Sequence, residues 1–183
     1  MAYSAANAIA FCIRQHGRYS DGECWTLVED AITTNGGCSS RGLTPNFSRN
    51  ASFVWGTVVQ LNMIQAGDIL QFHNYRWFRE ITVDVTNPDE SGGVTGSTQE
   101  EGRGDPQHSV MVVSVVSPGI VQIVEQNTPA NTGGVQTVEL VLVAPADRVV
   151  TVRTAVAGGD RVTITTTTDT VTNPPQCYRP ISV

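Results

Sequence analysis

Residues 22–32 read GECWTLVEDAI, and the fold turns on whether Cys24 opens a helix there. Cys24, Leu27, Val28, Ala31 and Ile32 fall at i, i+3, i+4, i+7 and i+8, which is one apolar face of an amphipathic helix. Asp21 or Gly22 is the expected N-cap, and Asn35-Gly36-Gly37 supplies the stop. A cysteine in the first turn feels the partial positive charge of the unpaired N–H groups, which favours thiolate over thiol. Most free cysteines are simply small buried hydrophobes. Position alone therefore does not make Cys24 a nucleophile, and the rest of the chain must supply a base.

Upstream, Ala5, Ile9 and Ile13 recur four apart with Ala8 and Cys12 beside them, which predicts a helix over 4–16 ending at Gly17. From Phe53 onward the helical period gives way to β-branched runs: FVWGTVVQ, GDILQF, ITVDV, SVMVVSVV, IVQIVEQ, VQTVELVLV, RVVTVRTAV and RVTITTTT. Ser117-Pro118-Gly119, Ala144-Pro145-Ala146-Asp147 and Ala157-Gly158-Gly159-Asp160 join them with turn chemistry. The threonine run Thr163–Thr168 alternates with Val162 and Ile164 and reads as a half-exposed strand. Residues 88–107, PDESGGVTGSTQEEGRGDPQ, are polar and glycine-rich and predict a long loop just ahead of His108. Within it GGVTG does not lead a strand into a helix, as a phosphate cradle must, and Arg103-Gly104-Asp105 reads as solvated loop. Together these elements make an α+β fold, N-terminal helices packed on a C-terminal antiparallel sheet or small barrel.

At 183 residues and 40% hydrophobic, the chain can bury one real core, and no linker divides it, so a single domain over 1–183 is expected. A formal charge of −6 with only eleven scattered Lys and Arg argues against a nucleic-acid partner. The apolar runs, such as Val110–Val116, fall far short of the roughly 20 residues a membrane-spanning helix needs. The first residues carry no secretory pattern, so a cytoplasmic location is the default and the source compartment is open. Cys12, Cys24, Cys38 and Cys177 are too few for a disulfide scaffold, although one bridge such as Cys12 to Cys38 stays open. No spacing calls for a metal or an organic cofactor.

Of His16, His73 and His108, the last opens the strand SVMVVSVV, where a sheet edge can present an imidazole on a fixed backbone. If Pro118 and Gly119 are the centre of a tight hairpin, Ser117 pairs with Ile120. Val110 then faces Asn127, Val112 faces Glu125, and His108 lies one diagonal step from Asn127 on the same face. A three-residue turn shifts the register by one and makes Gln126 the candidate instead. An acidic or amide group there would orient the imidazole by its second nitrogen.

GECWTLVEDAI, FVWG, IQAGDILQF, HSVMVVSV and IVEQN stand in the order and spacing of the papain-like NlpC/P60 and CHAP superfamily of cysteine hydrolases. Among its branches the chain most resembles the cysteine-proteinase-fold domain of fungal cortical actin-patch proteins. The resemblance covers about Ala5 to Asn127, and the terminal CYRPIS is similar to that branch's closing strand. It implies Cys24 as nucleophile, His108 as base, and Glu125 and Asn127 as the Glu-x-Asn that orients the base. It also implies an oxyanion contact from the Cys24 backbone N–H, with Tyr19 or Arg18 as an added donor and Trp25, Trp55 and Gln126 near the cleft. Read singly, both tryptophans are ordinary core aromatics. Two positions depart from the pattern: Arg18 stands where papain-like enzymes often carry glutamine, and Gln107 where CHAP enzymes commonly have glycine. The implied activity is a peptidase or amidase, and bacterial relatives commonly cleave peptidoglycan fragments. The competing expectation is a binding or scaffolding module of the same fold that engages a protein partner without turnover.

Overall fold

Ser4 caps the first helix, accepting a hydrogen bond from the Asn7 N–H at 3.4 Å, and α1 runs Ala5–Ile13 with Ala8 and Cys12 turned inward. It ends a turn earlier than the 4–16 expected, because Arg14 is its C-cap and Gly17 already has φ +64. The second helix, α2, is Cys24–Thr34, and a short α3 covers Ser40–Leu43. The strands are β1 (Thr57–Val59), β2 (Ile69–Phe72), β3 (Tyr75–Thr86), β4 (Gly92–Arg103) and β5 (His108–Ser117). They continue as β6 (Ile120–Glu125), β7 (Gln136–Val141), β8 (Arg148–Val156), β9 (Gly159–Thr172) and β10 (Gln176–Arg179). The structure, a computed structural model, describes residues 2–48, 51–129 and 132–183.

The chain forms two compact units. The first comprises Met1–Tyr75, Gly102–Val143 and Asn173–Val183. Its six-stranded sheet has the order β1-β10-β2-β5-β6-β7, with antiparallel neighbours throughout. Helices α1 and α2 pack against this sheet through one core of Ala8, Cys12, Leu27, Val28, Ala31, Ile32, Trp55, Ile69, Met111 and Val124. Each fully buried Leu, Ile or Val there contributes about 1.5–3 kcal/mol of transfer free energy. This is a mixed α+β architecture of helices on an antiparallel sheet. Among the described residues no helix is long and apolar enough to cross a membrane.

The second unit, Arg76–Glu101 with Ala144–Thr172, is a four-stranded sheet of order β4-β3-β9-β8. Strands β3 and β9 pair from Arg76↔Thr172 to Thr86↔Val162, and β8 and β9 close in a hairpin at Val156↔Gly159. Asp169 ties its two central strands together, accepting from Trp77 Nε1 at 2.8 Å and from Arg79 Nε at 2.9 Å. Most of 88–107 is therefore not loop: Gly92–Arg103 is β4, an edge strand exposed from Gly92 to Glu100. The strand pairs through its main chain and buries no face, so no apolar alternation marks it.

The β5–β6 register places the site. Ser117 pairs with Ile120 as expected, and Gly119 takes φ +80 in the turn. Then Val115 faces Val121, Ser114 faces Gln122, Val112 faces Ile123 and Met111 faces Val124. Val116 and Val113 are each an extra residue on β5, two one-residue bulges that slip the ladder by two. One bulge would have turned Glu125 to the opposite face. Two restore the face and move His108's diagonal neighbour from Asn127 to Glu125.

Candidate active site

Cys24 is the first residue of α2, and the cap ahead of it is Glu23, with φ −77 and ψ 137, rather than Asp21 or Gly22. Glu23 makes no side-chain cap bond, and Asp21 serves that end instead: its Oδ1 accepts from the Glu23 N–H at 3.0 Å and its Oδ2 from the Thr26 hydroxyl at 3.0 Å. Gly22 has φ +83, a backbone conformation that favours glycine on the approach to the helix. Arg18 itself donates to the Asp21 carbonyl, at 3.1 Å from Nε, and holds this turn.

Strand β5 brings His108 to Cys24. Cys24, His108 and Ser109 line the same cavity. The ring is held by Glu125, whose Oε2 lies 2.8 Å from His108 Nε2. Exposure falls from 8% at Cys24 to 5% at His108 and 0% at Glu125, so the sulfur lies at the rim and the carboxylate is sealed behind it. Burial pushes the Cys24 thiol up, but the hydrogen bond and charge of His108 and the Ser109 N–H outweigh it and hold the thiol below its ordinary value. Burial would lower His108, yet the bonds and charges of Cys24 and Glu125 prevail and push it up to about 9. Burial likewise raises Glu125, and the imidazole and the Arg103 guanidinium hold it below the usual carboxylate range. Both shifts favour thiolate paired with imidazolium, a coupled pair that titrates as one unit.

Arg103 is the residue the sequence reading missed. It grips Glu125 with two bonds, Nε to Oε2 at 2.9 Å and Nη2 to Oε1 at 3.0 Å, and it is not solvated loop. Gln136 Nε2 donates to the same Oε1 at 3.0 Å, and the Thr128 hydroxyl stands 3.3 Å from His108 Nε2. Nothing in the spacing of Arg-Gly-Asp marks this, because its partner lies on a strand 22 residues away.

The other sequence candidates separate. Asn127, at φ +69, lines the cavity beside Cys24, and it is Glu125 that holds the imidazole. Gln126 is 0% exposed and turned into the turn before α2, accepting from the Tyr19 N–H at 3.1 Å and donating to the Glu23 carbonyl at 2.7 Å. The Tyr19 hydroxyl donates to Asp30 at 2.9 Å. Neither Gln126 nor Tyr19 lines the cavity, so neither is placed as an oxyanion donor. Trp55 is buried in the core and donates to Gln71 at 3.0 Å, whereas Trp25 lines the cavity and donates to Ser40 at 2.8 Å.

The cavity holds about 650 Å³. One stretch of its wall is aromatic, Trp25, Phe47 and Phe53 with ring centroids 5.5–5.9 Å apart, and the Arg41 guanidinium lies 4.4 Å over Trp25. Residues Asp105–Ser109 line the side that carries the imidazole. All four cysteines are free, and among the described residues no group of three or more His, Cys, Asp or Glu is placed to hold a metal ion. No protein-family model, no curated protein and no solved structure matches the chain.

Proposed function

We propose that this chain is a thiol-dependent hydrolase of amide or peptide bonds, built on a papain-like fold of the NlpC/P60 or CHAP type. The observation that supports the reading is that Cys24, at the start of α2, and His108, held by Glu125 at 2.8 Å, line one cavity of about 650 Å³. In this reading the Cys24 thiolate attacks the carbonyl carbon and the negative charge moves to the oxygen. The backbone N–H of Cys24, at the first position of α2, receives that oxyanion. The His108 imidazolium gives its proton to the leaving amine as the C–N bond breaks, leaving a thioester on Cys24. Neutral His108 then takes a proton from water, whose oxygen displaces the sulfur and releases the acid. Glu125 keeps Nε2 occupied and so holds the ring in the orientation that both proton transfers need. The aromatic wall of Trp25, Phe47 and Phe53 suits an apolar substrate side chain, and peptidoglycan stem fragments and peptide amides are the substrates to screen.

The acyl transfer is tested with p-nitrophenyl acetate, which needs no knowledge of the natural substrate. The expected result is a burst of nitrophenolate, acetylation located on Cys24 by peptide mass, and slow turnover. Replacing His108 with Ala should lower the acylation rate by about 10²–10⁴-fold. Acetylation spread over Cys38 and surface amines at the same rate in wild type and His108→Ala would overturn the hydrolase and leave a protein-binding module of this fold.

A further inference from the structure

Glu125 is wholly buried, and its carboxylate is filled. Oε2 accepts from His108 Nε2 at 2.8 Å and Arg103 Nε at 2.9 Å, while Oε1 accepts from Arg103 Nη2 and Gln136 Nε2, each at 3.0 Å. With a longer bond from the Thr128 hydroxyl to Oε2 at 3.4 Å, these contacts occupy both oxygens and hold the carboxylate in one orientation. Two of the four come from one planar fork, and a buried arginine with 8% side-chain exposure is a costly way to fix a structural carboxylate.

We propose that Arg103 is a positioning residue of the candidate active site, a fourth member behind Cys24, His108 and Glu125 that keeps Glu125 ionised and aimed at the imidazole. This role rests on the hydrolase reading. Arg103 is itself pinned from both sides. Its Nη1 donates to the Gly102 carbonyl at 2.9 Å. The next residue, Gly104, at φ +75, lies so close to β2 that a Cβ would sit 2.8 Å from the Phe72 carbonyl, and its own carbonyl accepts from the Asn74 N–H at 2.5 Å. The guanidinium therefore reaches Glu125 from a fixed backbone.

The groups that face Glu125 are few: His108 from β5, Arg103 at the end of β4, Gln136 from β7, and the Thr128 hydroxyl at 3.4 Å just past β6. Apart from the imidazolium, Arg103 is the one cation among these. Without it, only the imidazolium opposes the burial that pushes the carboxyl toward its neutral form. A neutral Glu125 no longer supports the imidazolium, and the proton returns to the Cys24 sulfur at a higher pH than before. Arg103 thus sets the lower pH limit of the reactive thiolate. The fork geometry explains the choice of arginine, since a lysine brings the charge but only one bond at a time.

The test is the pH profile of iodoacetamide labelling at Cys24, resolved by peptide mass, in wild type, Arg103→Gln and Arg103→Lys. Arg103→Gln keeps a donor and most of the volume, and circular dichroism checks that each variant is folded. The expected result is an acid limb moved up by roughly one pH unit in Arg103→Gln and largely restored in Arg103→Lys. Loss of thermal stability without movement of the limb would reduce Arg103 to a structural ion pair and overturn the proposal. Should Arg103→Gln fail to fold, Arg103→Lys decides alone, because a limb that stays at the wild-type position beside a lowered labelling plateau separates charge from aim. An unchanged plateau in that variant overturns the proposal. Slow labelling of wild-type Cys24 at every pH is a different failure: it removes the hydrolase reading, and this role with it.

Discussion

Replacing Gln126 by Glu is the sharpest test of how the turn before α2 is held. The Gln126 side chain is 0% exposed, donates to the Glu23 carbonyl at 2.7 Å and the Tyr19 carbonyl at 3.4 Å, and accepts from the Tyr19 N–H at 3.1 Å. Gln126→Glu changes one atom, exchanging the donor for an oxygen that faces two carbonyls. Left ionised, the new carboxylate abuts those two acceptors. Made neutral to restore one donor, it pays for a proton about three units above its ordinary range at neutral pH, at ~1.4 kcal/mol per unit. Leaving the carbonyls without a donor costs about 1–3 kcal/mol instead. The variant therefore loses about 2–4 kcal/mol near pH 7.5. At roughly 2–4 °C per kcal/mol for a chain of this length, the melting temperature falls by about 4–16 °C. The introduced carboxyl has its pKa raised by folding, so the deficit grows as pH rises above its unfolded value and shrinks toward about pH 5. Thermal unfolding at both pH values, followed by circular dichroism, reads both effects. A melting temperature within about 2 °C of wild type at pH 7.5, or an equal loss at both pH values, would refute the clamp. That result would return Gln126 to the list of groups that serve chemistry rather than the backbone.

Other consequences follow from the same contacts. Asp68 is 1% exposed and accepts from Arg179 Nε and Nη2 at 2.9 Å each and from the Gln65 N–H at 2.9 Å, so Asp68→Ala should cost about 1–3 kcal/mol in urea denaturation. In the second unit, Asp169→Ala removes the acceptor shared by Trp77 and Arg79 and should speed amide exchange in β3 and β9 before that in β2 and β5. His108, raised to about 9, contributes fully to stability below about 6.5 and loses that contribution as pH rises through about 9. Cys24, lowered from an ordinary value near 9, contributes fully above that value and loses its share as pH falls. Between about pH 6.5 and 9 the two slopes oppose each other, so wild-type stability in urea denaturation should be nearly flat there. A wild-type stability that falls steeply as pH rises across that window would contradict the pairing.

Much of this was legible in the sequence where burial is one-sided. The i, i+3, i+4 spacing from Cys24 to Ile32 marked α2 because only one face of that helix meets the sheet, and His108 stood out because a strand begins there. Strand β4 was not legible, since Gly92–Glu100 buries no side chain and the ladder to β3 is main chain alone. The register beyond Ser117 was hidden for a different reason: Val112, Val113, Val115 and Val116 are all β-branched, and nothing in such a run says which residues are squeezed out as bulges. That ambiguity is why the choice among Glu125, Gln126 and Asn127 needed coordinates. Arg103 escaped because its neighbours are polar and its partner is remote in sequence, so no local pattern could distinguish it from a solvated arginine.

The most direct test of the central claim is the rate of iodoacetamide labelling at each cysteine from about pH 5 to 9, in wild type and His108→Ala. Burial pushes Cys12 and Cys177 up to about 12, whereas the Cys24 thiol is held below its ordinary value beside His108. Cys24 is predicted to label at least about tenfold faster than either near pH 6.5, and this advantage collapses in His108→Ala. A Cys24 rate that climbs only toward pH 9, unchanged by the loss of His108, would contradict it.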